Sequence, residues 1–395
     1  MTRAFLITLL LATPLFAQTS DEISFQRTFL LRNSSGTSFN PGPAPHHPHI
    51  ITRGTWTTFW GGALFATYSS ETGPVKQRNE VFSTNWITAG AQHALGSRGL
   101  ILFRGSASLE PFTIKERGYP QILQWVSPEN GGPLLDSMRA HDALGEAAVD
   151  LAYRTTTSSF VHLYAAPAGD SALGAVPYAQ RSSSEEFAEA PFSYDVQETT
   201  HDSGRVITAG FGSRIVTVEG SAFHDAVSHG RHTTIDNGSI DSRSARLVIT
   251  PMSNLALQVS RGELGDAKRK ISSLSATWGT QRGAMSAIWT ERETPDGGKL
   301  KSGSVEGTRR VERSTFSARI EAVDRPVGFL GNANIKRTAH FNLGYIFDFM
   351  RGSYRTGAGV NIDYHTQTYD LGHRYGHKPQ TVYLFLRVRT DSTAR

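Results

Sequence analysis

The chain has 395 residues, a formal net charge of +5 and no cysteine. Without cysteine there is no disulfide framework and no cysteine-based zinc site, and the chain must be held together by burial or by a closed hydrogen-bond network. The 40 basic and 35 acidic residues are interspersed, and no basic block offers a surface for nucleic acid.

Residues 1–17, MTRAFLITLLLATPLFA, place one arginine before an apolar run and end on small Ala17. This is the pattern of a secretory signal peptide, so the mature chain is expected to be exported. Residues 18–50 are expected as a periplasmic N-terminal tail that closes on His46, His47 and His49. Three flexible imidazoles with no carboxylate nearby make at most a loose metal site.

From residue 51 to 395 the sequence alternates with a period of two. In Leu100–Glu110, Ile101, Phe103 and Leu109 fall on one face and Arg104, Ser106 and Glu110 on the other. Phe316, Ala318 and Ile320 oppose Ser317, Arg319 and Glu321. Phe341, Leu343, Tyr345, Phe347 and Phe349 oppose Asn342 and Asp348. Successive strand side chains point to opposite faces, so each segment has an apolar side and a polar side.

Sixteen such segments lie near 54–69, 79–95, 99–110, 143–155, 158–167, 203–212, 214–225, 241–250, 254–264, 269–279, 282–292, 299–309, 313–324, 336–349, 353–365 and 378–390. Each has the length of a tilted strand that crosses a bilayer. Every second connection is tight, as at Gly96-Ser97, Gly212-Ser213 and Gly279–Gln281, while 111–142, 168–202 and 226–240 are long. Short turns at one rim and long loops at the other define an all-β transmembrane antiparallel β-barrel of the outer membrane, its short turns in the periplasm. Trp56, Trp60, Tyr345, Phe347, Phe349, Tyr354 and Tyr364 supply the expected aromatic girdles.

Sixteen strands enclose more space than wall side chains fill. The polar faces should therefore line a lumen, with Arg104, Arg154, Arg246, Arg319 and Arg355 set against Glu110, Glu146, Asp150, Glu219, Glu321, Asp348 and Asp363. Opposed charges across a pore create a transverse field and a weak ion preference. Either long loop, 111–142 or 168–202, could fold inward and narrow the passage.

No H-E-x-x-H, P-loop or G-x-S-x-G motif is present, and no enzymatic role and no cofactor are expected. His141, His162, His201 and His340 have no spacing that fixes a metal geometry. Phe82–Asn85, Ser106–Pro111, Gly132–Asp136, His141-Asp142, Thr199–His201 and Arg243–Gln258 resemble a family of uncharacterised Gram-negative outer-membrane barrels. The resemblance implies a barrel, and a metal-handling role centred on His141 and His201. The chain has Arg139-Ala140 where that family places His-Pro, and Phe192–Tyr194 where it places paired histidines. Barrels of this kind tend to end on an aromatic residue, whereas this chain runs on from Tyr383 and Phe385 to Arg395.

The expected function is a passive, water-filled pore for small solutes or ions. The alternatives are a metal-handling accessory barrel and a structural or surface-interaction barrel whose lumen is closed by loops. The expected partners are the outer-membrane bilayer and its assembly machinery, with a homo-trimer by analogy of fold.

Overall fold

Alternation along the chain builds the wall. The structure, a computed structural model, describes residues 34–45, 48–72, 79–114, 119–126, 134–138, 141–198, 203–225, 235, 238–294, 297–326, 335–367 and 379–391. Its strands are β1 (His49–Arg53), β2 (Trp56–Glu71), β3 (Asn79–Leu95), β4 (Gly99–Ala107), β5 (Tyr119–Val126), β6 (Leu134–Met138), β7 (Leu144–Arg154), β8 (Ser159–Gly169), β9 (Ser203–Ser213) and β10 (Val216–His224). There follow β11 (Ser242–Met252), β12 (Leu255–Leu264), β13 (Arg269–Thr280), β14 (Gly283–Glu293), β15 (Lys299–Val311), β16 (Ser314–Pro326), β17 (Ile335–Met350), β18 (Tyr354–Gln367) and β19 (Gln380–Thr390). Among the described residues, two α-helices of one turn each, α1 (Glu110–Thr113) and α2 (Tyr194–Gln197), and a 3-10 turn at Tyr178–Gln180 lie in the loops.

Sixteen of these strands, β2 to β4 and β7 to β19, form one closed antiparallel barrel. They match the sixteen alternating segments one for one. Closure is made by β19 against β2, from Thr381 opposite Glu71 to Arg389 opposite Ala63. Closure matters because every backbone group inside lipid must be bonded within the protein. β19 stops short of the first residues of β2. The unexpected strand β1 takes over that edge, with His49 opposite Trp60 and Arg53 opposite Trp56. A second unexpected element, the hairpin of β5 and β6, sits in the loop between β4 and β7.

The two faces of the wall differ as the period of two requires. On β17, His340, Asn342, Ile346 and Asp348 are buried, while Phe341, Leu343, Tyr345, Phe347 and Phe349 are exposed, Leu343 by 67%. The same holds on β19, where Tyr383, Phe385, Arg387 and Arg389 point in and Leu384, Leu386 and Val388 point out. This apolar exterior belongs against hydrocarbon. Aromatic rings gather at the short-turn rim: His93 stacks on Trp56 at 4.5 Å, and His49 and Tyr354 lie 4.7 and 6.0 Å from Trp60.

The interior is not a water-filled space among the described residues. Residues 170–198, between β8 and β9, fold into the barrel and are buried almost throughout. Residues 34–45, part of the expected tail, also lie inside it. The inward faces are accordingly less polar than alternation alone suggests. Phe65, Phe82, Ile346, Tyr383 and Phe385 pack with Tyr178, Ala188, Ala190 and Tyr194 of the inward loop. Ile122 and Leu123 of β5 pack with Phe192 and Val196 of the loop and with Leu300 and Val323 of the wall. In these two clusters the apolar inward residues are covered by insert residues, Tyr383 and Phe385 among them.

Candidate functional site: the lumen and its inward loop

Eleven of the twelve charged residues expected at the pore are buried: Arg104, Glu110, Glu146, Asp150, Glu219, Arg246, Arg319, Glu321, Asp348, Arg355 and Asp363. Arg154 has the same parity but sits at the short-turn rim, where it donates to the Ser97 carbonyl at 2.9 Å. Glu110 lies in α1 rather than in the wall, because β4 ends at Ala107. Its carboxylate accepts the backbone N–H groups of Asn85 and His141 at 3.1 and 2.8 Å, tying two loop segments together.

The wall charges do not form opposed rings. They are paired sideways, between neighbouring strands. Glu219 and Arg246 are register partners 2.8 Å apart, and so are Glu306 and Arg319. Arg104 reaches Glu146 at 2.7 Å, and Arg355 reaches Asp348 at 3.3 Å. Such pairs cancel most of the field an open lumen would feel, and they leave spare donors and acceptors for whatever enters.

The inward loop takes up those spare groups. Arg181, 1% exposed, donates to Glu306 at 2.6 Å and to Glu198 at 2.9 Å. Burial opposes the charge on Arg181, but the Glu306 and Glu198 carboxylates outweigh it and hold its pKa above the ordinary arginine value. Arg319 donates to Ser184 at 2.6 Å and lies 3.9 Å above the Phe187 ring, a cation–π contact. Glu321 accepts the N–H groups of Phe192 and Ser193 at 2.8 and 2.9 Å, at the start of α2. Glu189 accepts from the amides of Asn342 and Asn361, both at 2.7 Å. Burial, with the Asp363 carboxylate adding to it, pushes Glu189 up to about 8. Nearer the short-turn rim, Glu186 pairs with both Arg387 and Arg389.

The N-terminal segment is held in the same way. Gly36 donates its N–H to Glu146 at 3.1 Å and accepts from Arg104, and Thr37 accepts from Arg246 at 2.6 Å. Gly36 has φ +58°, and a Cβ there would meet the Asp170 carbonyl at 2.6 Å, so this approach needs glycine. Asn40 joins the two inserts, donating to the Gln180 carbonyl and accepting from Ser182. The cavity between them, lined by Ser38, Asp170, Gln197, Glu198 and Arg246, measures about 10 Å³, room for one water molecule.

The histidines fall into separate settings. His141 pairs with Glu110 at 2.9 Å and stacks on Tyr178, while His201 lies outside the described residues, as do His46 and His47. The expected pair of His141 and His201 is therefore not assembled among the described residues. His162 lies between Asp150 and Glu219, 3.4 Å from each. His340 lies between Glu321 at 2.8 Å and Asp363 at 3.1 Å. Sequence reasoning missed its neighbour His365, the cross-strand partner of His340. The available signal was parity, which puts His365 on the inward face with Asp363.

The fold can be compared with solved structures. A loop-deletion form of OmpT, an outer-membrane protein of Vibrio cholerae, superposes with a TM-score of 0.53 at 8% identity, over 85% of this chain and all of that one. OmpF of Salmonella typhi, solved in complex with daunomycin, gives a TM-score of 0.53 at 9% identity, over 86% of this chain and 100% of that one. No family model matches the sequence, and no curated protein matches it. At such identities the likeness concerns the fold alone: the chain is a closed sixteen-strand antiparallel β-barrel with the fold of these outer-membrane proteins.

Proposed function

We propose that this barrel is a diffusion pore for small solutes or ions that is closed at rest by its own inward loop. The carrying observation is the chemistry of the insert. A sixteen-strand wall encloses a lumen wide enough for water. What fills it is a separate segment, 170–198, seated on the wall through Arg181, Glu186, Glu189 and Ser193. A permanently solid interior is better made of apolar side chains, because buried polar groups gain little net stability over water. The ions and hydroxyls of this seat, which stand beside the apolar contacts of Tyr178, Phe192 and Tyr194, can instead exchange their partners for water when the loop leaves. Passage is then downhill diffusion, limited by loop release and filtered by the wall charges named above.

The test is conductance in planar bilayers. Gly169 and Ser203 are directly paired across β8 and β9, so the intervening residues can be replaced by a linker of about four residues without straining the wall. The full chain is expected to give rare, small current steps and the shortened chain frequent steps many-fold larger. A shortened barrel that still shifts its gel migration on boiling, yet passes no current, would sink the pore. Full-sized steady conductance from the intact chain would sink closure at rest.

A further inference from the structure

We propose that His340, Asp363 and His365 form a binding site for a divalent transition-metal ion of the zinc class, set in the wall beneath the inward loop. One ring nitrogen of each histidine and one oxygen of Asp363 lie within 4.8 Å of one another, and the three residues are fully buried. His340 on β17 and His365 on β18 are register partners, so the backbone ladder fixes their separation, with ring centroids 4.7 Å apart. Asp363 precedes His365 by two residues and shares its face.

Three features point to a metal ion rather than to an ordinary buried polar cluster. First, neither ring nitrogen of His365 has a hydrogen-bond partner among the described residues. Leaving a buried polar group unsatisfied costs about 1–3 kcal/mol, and imidazole nitrogen is the commonest metal ligand. Second, His340 presents Nδ1 to Glu321 at 2.8 Å and Nε2 to Asp363 at 3.1 Å. A carboxylate on the far ring nitrogen is the usual outer support of a metal-bound histidine, and it leaves Nε2 for the ion. Third, the 3.1 Å spacing of Nε2 and the Asp363 oxygen suits two ligands on one tetrahedral ion, which stand roughly 3.3 Å apart when each bond is about 2.0–2.1 Å. Rotation of the His365 ring brings the third donor in. Two imidazoles and one carboxylate favour zinc-class ions over magnesium or calcium, which take oxygen ligands.

The site touches the inward loop at Phe192. The Phe192 ring lies 5.3 Å from His340 and 5.4 Å from His365 and covers the cluster from the lumen side. Glu321 accepts the Phe192 N–H as well as supporting His340, so the same carboxylate holds the loop and the ligand. An ion entering from the lumen must pass Phe192, so entry is coupled to movement of this part of the loop.

The experiment is titration of zinc into the full-length, chelator-stripped barrel in detergent, with a chromophoric competitor as the readout and cobalt(II) absorption as a check on geometry. One zinc per chain is expected, with a tetrahedral cobalt spectrum, and with affinity at least tenfold weaker in His365→Leu. His365→Leu removes only an unsatisfied imidazole, so without metal the variant should fold as well as the parent, judged by its heat-modifiable gel migration. With zinc, the unfolding temperature of the parent should rise and that of the variant should not. His141→Ala should leave the binding unchanged. Absence of saturable binding, or binding that survives His365→Leu at full strength because the N-terminal histidines hold the ion, would overturn the proposal.

Discussion

Replacing Glu306 with alanine is expected to release the inward loop while leaving the barrel wall intact. Glu306 is the shared partner of two buried arginines: one oxygen accepts from Arg181 and from Ser183, the other from Arg319. Its removal leaves Arg181 with Glu198 and the Val176 carbonyl, and Arg319 with Ser184 and the Phe187 ring. Removing one partner of a buried ion pair costs about 3–5 kcal/mol. That cost falls on the closed state alone, because a released Arg181 is solvated. The population of the released loop should therefore rise roughly a hundred- to several-thousand-fold, at about 1.4 kcal/mol per decade. Arg181 is itself a trypsin site that is fully buried in the closed state. Cleavage after Arg181 in Glu306→Ala, and its absence in the parent, is the expected result. Equal resistance in both would show that Glu306 does not hold the loop.

The second large effect concerns the outer wall. Leu343 lies midway along β17, is 67% exposed and points away from the lumen, between the outward residues Phe341 and Tyr345. Arginine at the lipid-facing midplane of a barrel costs about 2–4 kcal/mol. Leu343→Arg should therefore lower the unfolding free energy of the barrel in lipid vesicles by that amount in urea titration. A cost below about 0.5 kcal/mol, the range of an ordinary surface substitution, would place Leu343 in water and contradict the membrane orientation.

The wall was legible in the sequence because its two determinants are local. Alternation declares each strand and turn length declares each rim, so β3 spans 79–95 as read and the other strands differ by a few residues at their ends. The contents of the lumen were not legible, because they depend on pairings across long stretches of chain. Residues 170–198 have the serine, alanine and glutamate of an exposed loop. They become interior only because Glu306, Arg319 and Glu321, more than a hundred residues on, present matching groups. The inward placement of Tyr383 and Phe385 follows from the same cause, since their cover comes from the inward loop. Glu110 was assigned to a strand by parity, but Pro111 in the first turn of α1 marks the end of the ladder. The pairing of His340 with His365 needed the register of β17 on β18. That register slips at a bulge between Asp348 and Met350, which alternation does not reveal.

A disulfide between the inward loop and the wall shows whether the chain's own loop fills the lumen. The Ser183 and Ser286 hydroxyls are 2.7 Å apart, one on the inward loop and the other on β14. The chain has no cysteine, so Ser183→Cys with Ser286→Cys can form one intramolecular bond and no other. Disulfide sulfurs sit about 2.05 Å apart, within reach of this spacing. In outer-membrane vesicles under mild oxidation, near-complete formation of that bond is expected in the folded barrel, with bilayer currents abolished until a reductant is added. A folded double variant whose two thiols stay open to a membrane-impermeant maleimide, with no disulfide between them, would contradict it.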